Sequence, residues 1–374
     1  MVSKKMIPVC APVVGEREVE YATRCIRSSW ISSVGPFVTK FENKFARFCD
    51  SKYGVTANSG TTALHLALAA LNAGPNDEVI MPTFTMIASV NAVEYTGARA
   101  VFVDANPETW TMDVSNLESK VTDRTKIILP VHIYGHPTDM DPLLEVSRRK
   151  NLKVVEDAAE AHGAKYKGKI TGSMSDVGSF SFYSNKIITT GEGGMNVTND
   201  YDLAERMRWL RAHAFGRGGK HFWHEELGFG YRLSALQASV GLAQMERIRE
   251  FIRLRIAHAK LYNELLSQLS QEHITLPPQK PWAKNVYWMY SILINDDTKR
   301  AKLMDWLTKK GIETRTFFFP VHEQPYYRSR YVGQSFPVAD RLSKQGMNLP
   351  SGSGLTEQEI TYVSEKIVEF FRTN

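Results

Sequence analysis

From about residue 50 to residue 200, short apolar runs without clear alternation recur between segments of helical character. This constrains the fold more than any other feature of the chain. Val79–Phe84 (VIMPTF), Ala98–Ala105 (ARAVFVDA), Lys126–Tyr134 (KIILPVHIY) and Leu152–Ala159 (LKVVEDAA) read as strands. Ala63–Leu71, Met86–Tyr95 and Pro142–Lys150 read as helices, and Gly74–Glu78 (GPNDE) as a turn. A strand with one wet face alternates polar and apolar residues; a strand apolar along its whole length is covered on both faces. The pattern therefore predicts an α/β fold with a mainly parallel sheet between helical layers. In such sheets ligands bind beyond the carboxyl ends of the strands.

Past residue 200 the pattern changes. Asp202 can cap a helix bearing Leu203, Met207 and Leu210. Ser234–Leu269 reads as a long helical connector with a break or kink. Beyond it come a strand at Val286–Ile294, a helix at Ala301–Lys310 and a strand near Thr314–Phe319. A last helix follows Thr356, which forms a capping box with Glu359. A chain of 374 residues is long for one core. We divide it into a large domain, residues 1–250, and a small C-terminal domain, residues 251–374.

The net charge of +6 is mild for this length and suits anionic small molecules at least as well as nucleic acid. No DNA-reading helix is evident. Cys10, Cys25 and Cys49 cannot pair evenly and lack metal-ligand spacing, which suits reduced thiols in a cytoplasmic protein. No apolar run approaches the roughly 18 residues of a membrane span. The apolar stretch Met6–Val14, interrupted by Pro8 and Pro12, is too short and broken for a signal peptide. His132, His136, His162 and His322 show no convincing metal-ligand spacing, so no metal is expected.

The chemistry is concentrated in residues 154–195. Asp157 ends an apolar strand, and its carboxylate is expected at the ligand edge of the sheet. Lys186 follows, flanked by Asn185 and two isoleucines, ahead of the loop Gly191–Gly194. Pyridoxal phosphate needs such a pair: an amine to form a Schiff base, and an acid to hold the pyridinium proton so that the ring draws electrons. An apolar surround lowers a lysine pKa toward neutrality, as nucleophilic attack requires. Upstream, Asn58–Leu68 (NSGTTALHLAL) is a Gly-Thr turn opening a helix, a place for a phosphate, with hydroxyls at Ser59, Thr61 and Thr62. Plain capping of a core helix explains that turn equally well. Ser181 offers one more hydroxyl, or is simply a strand serine.

These segments, with VHIYGHPTDMDP and YRLSALQASVGLAQMERI, resemble the DegT/DnrJ/EryC1/StrS family of PLP-dependent nucleotide-sugar aminotransferases over nearly the whole chain. The resemblance implies the type I aminotransferase fold: a large domain with a mixed, mainly parallel sheet and a smaller C-terminal α/β domain. It also implies a homodimer with active sites at the interface. By the same resemblance Lys186 is the Schiff-base lysine and proton shuttle, and Asp157 pairs with the pyridinium nitrogen. Gly60, Thr61 and Ser181 hold the phosphate, Ala159 packs on the ring, and Glu160 approaches the ring hydroxyl. Two positions depart from the family pattern. Met86 stands where most members stack an aromatic residue, with Phe84 as a possible substitute. Gly230 stands where an asparagine usually reaches the partner's phosphate.

Trp30–Gly35 (WISSVG), Val286–Tyr290 (VYWMY), Gly311–His322 (GIETRTFFFPVH) and Met347–Ser351 (MNLPS) look closest to the members that aminate GDP-4-keto-6-deoxymannose. The expected reaction moves the amino group of L-glutamate to C4 of a nucleotide-linked 4-keto-6-deoxyhexose, within polysaccharide (O-antigen) biosynthesis. A dTDP- or UDP-linked keto sugar stays open, as does a non-catalytic PLP- or nucleotide-sugar-binding regulator. A diphosphate substrate calls for cations, and the candidates are Arg315, Arg217 and Lys220, and Arg328 with Arg330. Ser32 and Ser33 are expected at the sugar or phosphates by the same analogy, and Trp288 and Tyr290 along the sugar–nucleotide pocket.

Overall fold

The computed structural model describes residues 6–216, 222–270 and 272–373. Its centre is a seven-stranded sheet. In chain order the strands are β1 (Tyr53–Ala57), β2 (Glu78–Pro82), β3 (Arg99–Val103), β4 (Thr125–Ile128), β5 (Lys153–Asp157), β6 (Val177–Ser181) and β7 (Gly194–Thr198). Their order across the sheet is β1-β7-β6-β5-β4-β2-β3. The pairs from β3 through β6 are all parallel, and β7 runs antiparallel to both β6 and β1. The expected mixed, mainly parallel sheet is thus present. β2, β6 and β7 are buried along their whole length, as a sheet covered on both faces requires.

Helices cover the sheet: α1 (Glu16–Arg27), α2 (Pro36–Phe48), α3 (Gly60–Ala70), α4 (Ile87–Tyr95), α5 (Met140–Lys150) and α6 (Tyr201–Leu210). α3 is capped by Ser59, whose hydroxyl accepts the Thr62 amide, while Thr62 Oγ1 accepts the Ser59 amide. Behind that cap Leu64, Leu66 and Leu68 are buried, and each contributes roughly 2 kcal/mol of apolar burial. α6 starts earlier than expected, because Asp200 rather than Asp202 accepts the Leu203 amide.

α7 (Ala235–Leu266) is a single helix of 32 residues, begun by a capping box between Ser234 and Gln237. The expected break does not occur, and the helix runs unbroken past position 250 into a short 3-10 turn at Ser267–Leu269. Its C-terminal half carries Ala259, Tyr262 and Leu266 into a second apolar core. That core contains a four-stranded antiparallel sheet of β8 (Ile274–Thr275), β9 (Tyr290–Ile294), β10 (Arg315–Thr316) and β11 (Gly346–Leu349), in the order β8-β9-β11-β10. α8 (Asp297–Lys309), α9 (Pro337–Gln345) and α10 (Glu357–Thr373) pack beside it. The N-terminal segment joins this region through the bridge Ile7–Ile312. Among the described residues no helix is long and apolar enough to cross a membrane.

The carboxyl edge of the large sheet converges on one place. Gly194, opening β7, lies opposite both Ala57, ending β1, and Ser181, ending β6. A side chain at Gly194 would meet the Ser59 carbonyl at 2.2 Å, so glycine lets the turn before α3 lie directly on β7. Asp157 ends β5 beside β6.

Candidate active site

A cavity of about 300 Å³ opens at this edge. Its wall includes Gly60, Thr61, Ser89, Asp157, Ala159, Glu160, Ser181 and Lys186 from the large-sheet region, and Trp288, Arg315 and Asn348 from the C-terminal region.

Asp157 is buried, with both carboxylate oxygens directed. Oδ2 accepts the Ser89 hydroxyl at 2.7 Å and Oδ1 accepts the Ala159 amide at 3.1 Å. Burial raises its pKa, opposed by these hydrogen bonds and by the nearby Lys186. Burial lowers the pKa of Lys186, opposed by Glu160 and Asp157. Lys186 Nζ stands 3.7 Å from Glu160 Oε1 and 3.8 Å from the centroid of the Trp288 ring. Burial pushes the Glu160 carboxyl up to about 7, even with Lys186 and the Tyr134 amide favouring its charge. Burial thus disfavours the charged form of each group, while each favours the charge of the other.

At the other end of the cavity the first turn of α3 points inward. Amides of a first helical turn have no intrahelical partner and favour an anion. A side chain at Gly60 would meet Ser181 Cβ at 2.7 Å, so the backbone and the Ser181 hydroxyl share a cradle that only glycine leaves open. Thr61 lines the same end. A phosphate at this cradle, a ring between Ala159 and Met86, and a ring nitrogen toward Asp157 match the donors and acceptors present. The wall thus fits pyridoxal phosphate.

Other expectations divide. Met86 lines the cavity and is 45% exposed, and its sulfur accepts the Ala88 amide at 3.0 Å. Phe84 does not stand in for it: that ring is buried against Tyr134 and Phe317. Trp288 and Arg315 line the cavity, and Arg315 is exposed with Glu313 at 3.3 Å. Tyr290 does not; it is buried in the second core, stacked on Tyr262 at 4.5 Å with its hydroxyl on Asn263. Residues 288 and 289 form a bend and β9 begins only at Tyr290, so strand alternation does not carry from 288 to 290. Ser32 and Ser33 lie outside this wall, on the loop before α2, where the Ser32 carbonyl accepts the Ala235 amide. Arg328 and Arg330 lie outside it too, and Arg330 pairs with Glu94 of α4. Gly230 is exposed and away from the wall. Arg217 and Lys220 fall outside the described residues.

The histidines have packing partners. His162 is enclosed by Phe45, Phe180 and Phe182, and burial lowers its pKa to about 3. His132 bonds Glu156 at 2.9 Å, while its Nδ1 accepts the Thr138 amide. Glu156 also accepts the Gly172 and Met174 amides and the Ser175 hydroxyl, anchoring β5 just before Asp157. His322 sits between Thr83 and Asp340. His322, Glu323 and Asp340 bring ligand-type atoms within 4.8 Å of one another. Ser89 and Glu156 were missed by sequence reasoning. Ser89 lies near the start of a short apolar helix, and only its register against β5 shows what it holds.

The sequence profile of the DegT/DnrJ/EryC1/StrS aminotransferase family matches residues 12–368. The chain is 45% identical over 370 residues to the GDP-perosamine synthase of Escherichia coli O157:H7, covering 98% of this chain and 99% of that protein. It is also 45% identical over 359 residues to the GDP-perosamine synthase of Caulobacter vibrioides, covering 96% of each. The solved structure of S. venezuelae DesV superposes with a TM-score of 0.91 at 34% identity, covering 98% of this chain and 99% of that one. On sequence and fold alike, the chain belongs to the DegT/DnrJ/EryC1/StrS aminotransferase family.

Proposed function

We propose that the protein is a pyridoxal phosphate-dependent aminotransferase that moves the amino group of L-glutamate to C4 of GDP-4-keto-6-deoxymannose, giving GDP-perosamine. The observation that carries this reading is the Lys186 amine, its side chain only 10% exposed, facing the same cavity as the buried Asp157 carboxylate. The relatives support the choice of sugar and nucleotide.

In this reading Gly60, Thr61 and Ser181 hold the cofactor phosphate, Ala159 and Met86 flank the ring, and Asp157 faces the ring nitrogen. Glu160 lies toward the ring hydroxyl. Bound there, pyridoxal phosphate supplies an electron sink next to the carbon that carries the amino group. The chain's own residues handle the protons. Lys186 Nζ takes the proton from Cα of L-glutamate and later delivers one to C4 of the sugar. Desolvation favours the neutral amine that this task needs, and the nearby Glu160 and Asp157 oppose it. Ser89 keeps the Asp157 carboxylate in place. Arg315 meets the diphosphate, together with Arg217 and Lys220; Ser32 and Ser33 contact the sugar or phosphates, and Trp288 walls the pocket.

We further propose two lobes that divide within α7, a cytoplasmic homodimer, and active sites at its interface. Met86 and Tyr183 support the dimer: both line the cavity while remaining 45% and 46% exposed, an open apolar wall that a second copy would cover.

The test is a panel of GDP-, dTDP- and UDP-linked 4-keto-6-deoxysugars with L-glutamate, read by mass and by 2-oxoglutarate release. The reading predicts amination of the GDP sugar above the others. Preferred turnover of a dTDP or UDP sugar would overturn the nucleotide assignment, and no 2-oxoglutarate with any of them would point to a regulator.

A further inference from the structure

Trp288 sits two residues ahead of β9, in a segment fixed from several sides. Arg255 of α7 is buried, and among the described residues it has no carboxylate partner. It donates Nη1 to the carbonyls of Trp288 at 2.6 Å and Ser351 at 2.9 Å, and Nε to the Ser353 hydroxyl at 3.0 Å. Gly135, at φ +99°, accepts the Val286 amide at 3.2 Å. A side chain there would stand 3.0 Å from the backbone nitrogens of Tyr287 and Trp288, so the segment docks only on glycine. The indole Nε1 donates to the carbonyl of Asn185 at 2.9 Å.

That last bond ties the ring to the residue just before Lys186. Ring and amine are therefore held by neighbouring residues of one loop, and the indole face lies 3.8 Å from Nζ. An ammonium on a side chain only 10% exposed has lost most of its water and needs other negative surface. The Glu160 carboxylate at 3.7 Å is beyond hydrogen-bond length. The indole, the strongest cation–π partner among side chains, supplies the remainder. An apolar wall alone would need neither the tether to residue 185 nor the arginine beneath the carbonyl.

We propose that Trp288 is a positioning residue that seats the Lys186 ammonium on its indole face, with Arg255 and Gly135 holding the seat in place. This deepens the transamination reading and rests on Lys186 being the reacting amine. The charged amine is retained by the ring inside the cavity, and the neutral amine is released from it to react.

The test uses the cofactor-free protein and needs no substrate. Lys186 is labelled competitively with acetic anhydride across a pH series and quantified by peptide mass spectrometry. The other groups facing the amine are Asp157, Glu160 and Cys10, with His162 also coupled to it and Arg255 sharing a small cleft with it. All remain in the variants, so a change reports the ring. Trp288→Leu removes the π face and keeps an apolar side chain. Its Lys186 midpoint is expected to fall by roughly one pH unit, with labelling near neutral pH up roughly tenfold. Trp288→Phe, with a weaker face, should lie between. If the leucine variant does not fold, fluorinated tryptophans placed at 288 keep the shape while draining the ring's negative face, and the midpoint should fall with each added fluorine. A midpoint unchanged by leucine in a folded variant, or by fluorination, overturns the proposal. Failure of the sugar panel would leave this measurement unaffected, so the two ideas fail separately.

Discussion

The two ends of the cavity are built differently. The inner end, where Asp157, Ser89, Glu160 and Lys186 meet, is closed and cross-bonded: the carboxylate of Asp157 is held at 2.7 and 3.1 Å, and Asp157, Ser89 and Glu160 are each 5% exposed or less. The outer end is open. Arg315 is exposed, with Glu313 at 3.3 Å, and Met86 is 45% exposed. Burial at the inner end shifts pKa values and sets the chemistry. Exposure at the outer end leaves charges that a soluble anion can reach. Substitutions inside should therefore move kcat and pH behaviour, and substitutions outside should move KM.

The largest effect tests the inner end. Lys186→Ala is expected to lower transamination by about 10⁴-fold or more with the fold intact, since it removes both the nucleophile and the proton carrier. Rates within tenfold of wild type, with unchanged circular dichroism, would break the comparison. Asp157→Asn keeps the shape and removes the charge, and kcat should fall about 10²-fold. A near-normal kcat would show that the carboxylate does not serve the ring nitrogen.

Glu160 offers a stability test. Its folded pKa of about 7 lies above the ordinary 4.5. Below about 4.5 the group is protonated whether the chain is folded or not, and its contribution is fully present. As pH rises toward 7 the unfolded chain ionises while the folded one stays protonated, so stability falls, on the order of 3 kcal/mol in all. Above 7 the loss levels off. Denaturant unfolding of the cofactor-free protein should show this slope, and Glu160→Gln should flatten it. An unchanged slope in the glutamine variant would locate the titration elsewhere.

The smallest effect belongs to the outer end. Arg315→Ala should raise KM for the sugar nucleotide about tenfold and leave kcat within twofold, because an exposed cation contributes to ground-state and transition-state binding alike. A fall in kcat without a change in KM would move Arg315 from binding to chemistry.

The inner end was the more legible in sequence, for a physical reason. Asp157 ends a largely apolar strand and Lys186 lies just past the end of the neighbouring strand β6, so both stand near the same sheet edge. The Ser59–Thr62 cap is local, and structure and expectation agree there. What sequence could not give depends on long-range register. Ser89 reaches Asp157 across 68 positions. Tyr290 was expected beside Trp288, but the chain bends at 288–289 ahead of β9 and the tyrosine packs in the second core. Phe84 was expected to cover for Met86, yet an aromatic cluster with Tyr134 and Phe317 claims it. The strand expected at Lys126–Tyr134 ends at Ile128, short of Pro130 and of the left-handed Tyr134 at φ +52°. Apolar runs show which residues are buried, but not where the backbone turns.

The central claim is that the amine at position 186 bonds to the cofactor aldehyde, and borohydride reduction of the holoenzyme followed by peptide mapping tests it most directly. The account predicts one pyridoxyl-modified peptide, carrying the label on Lys186. A label on any other lysine, or none at all, would contradict it.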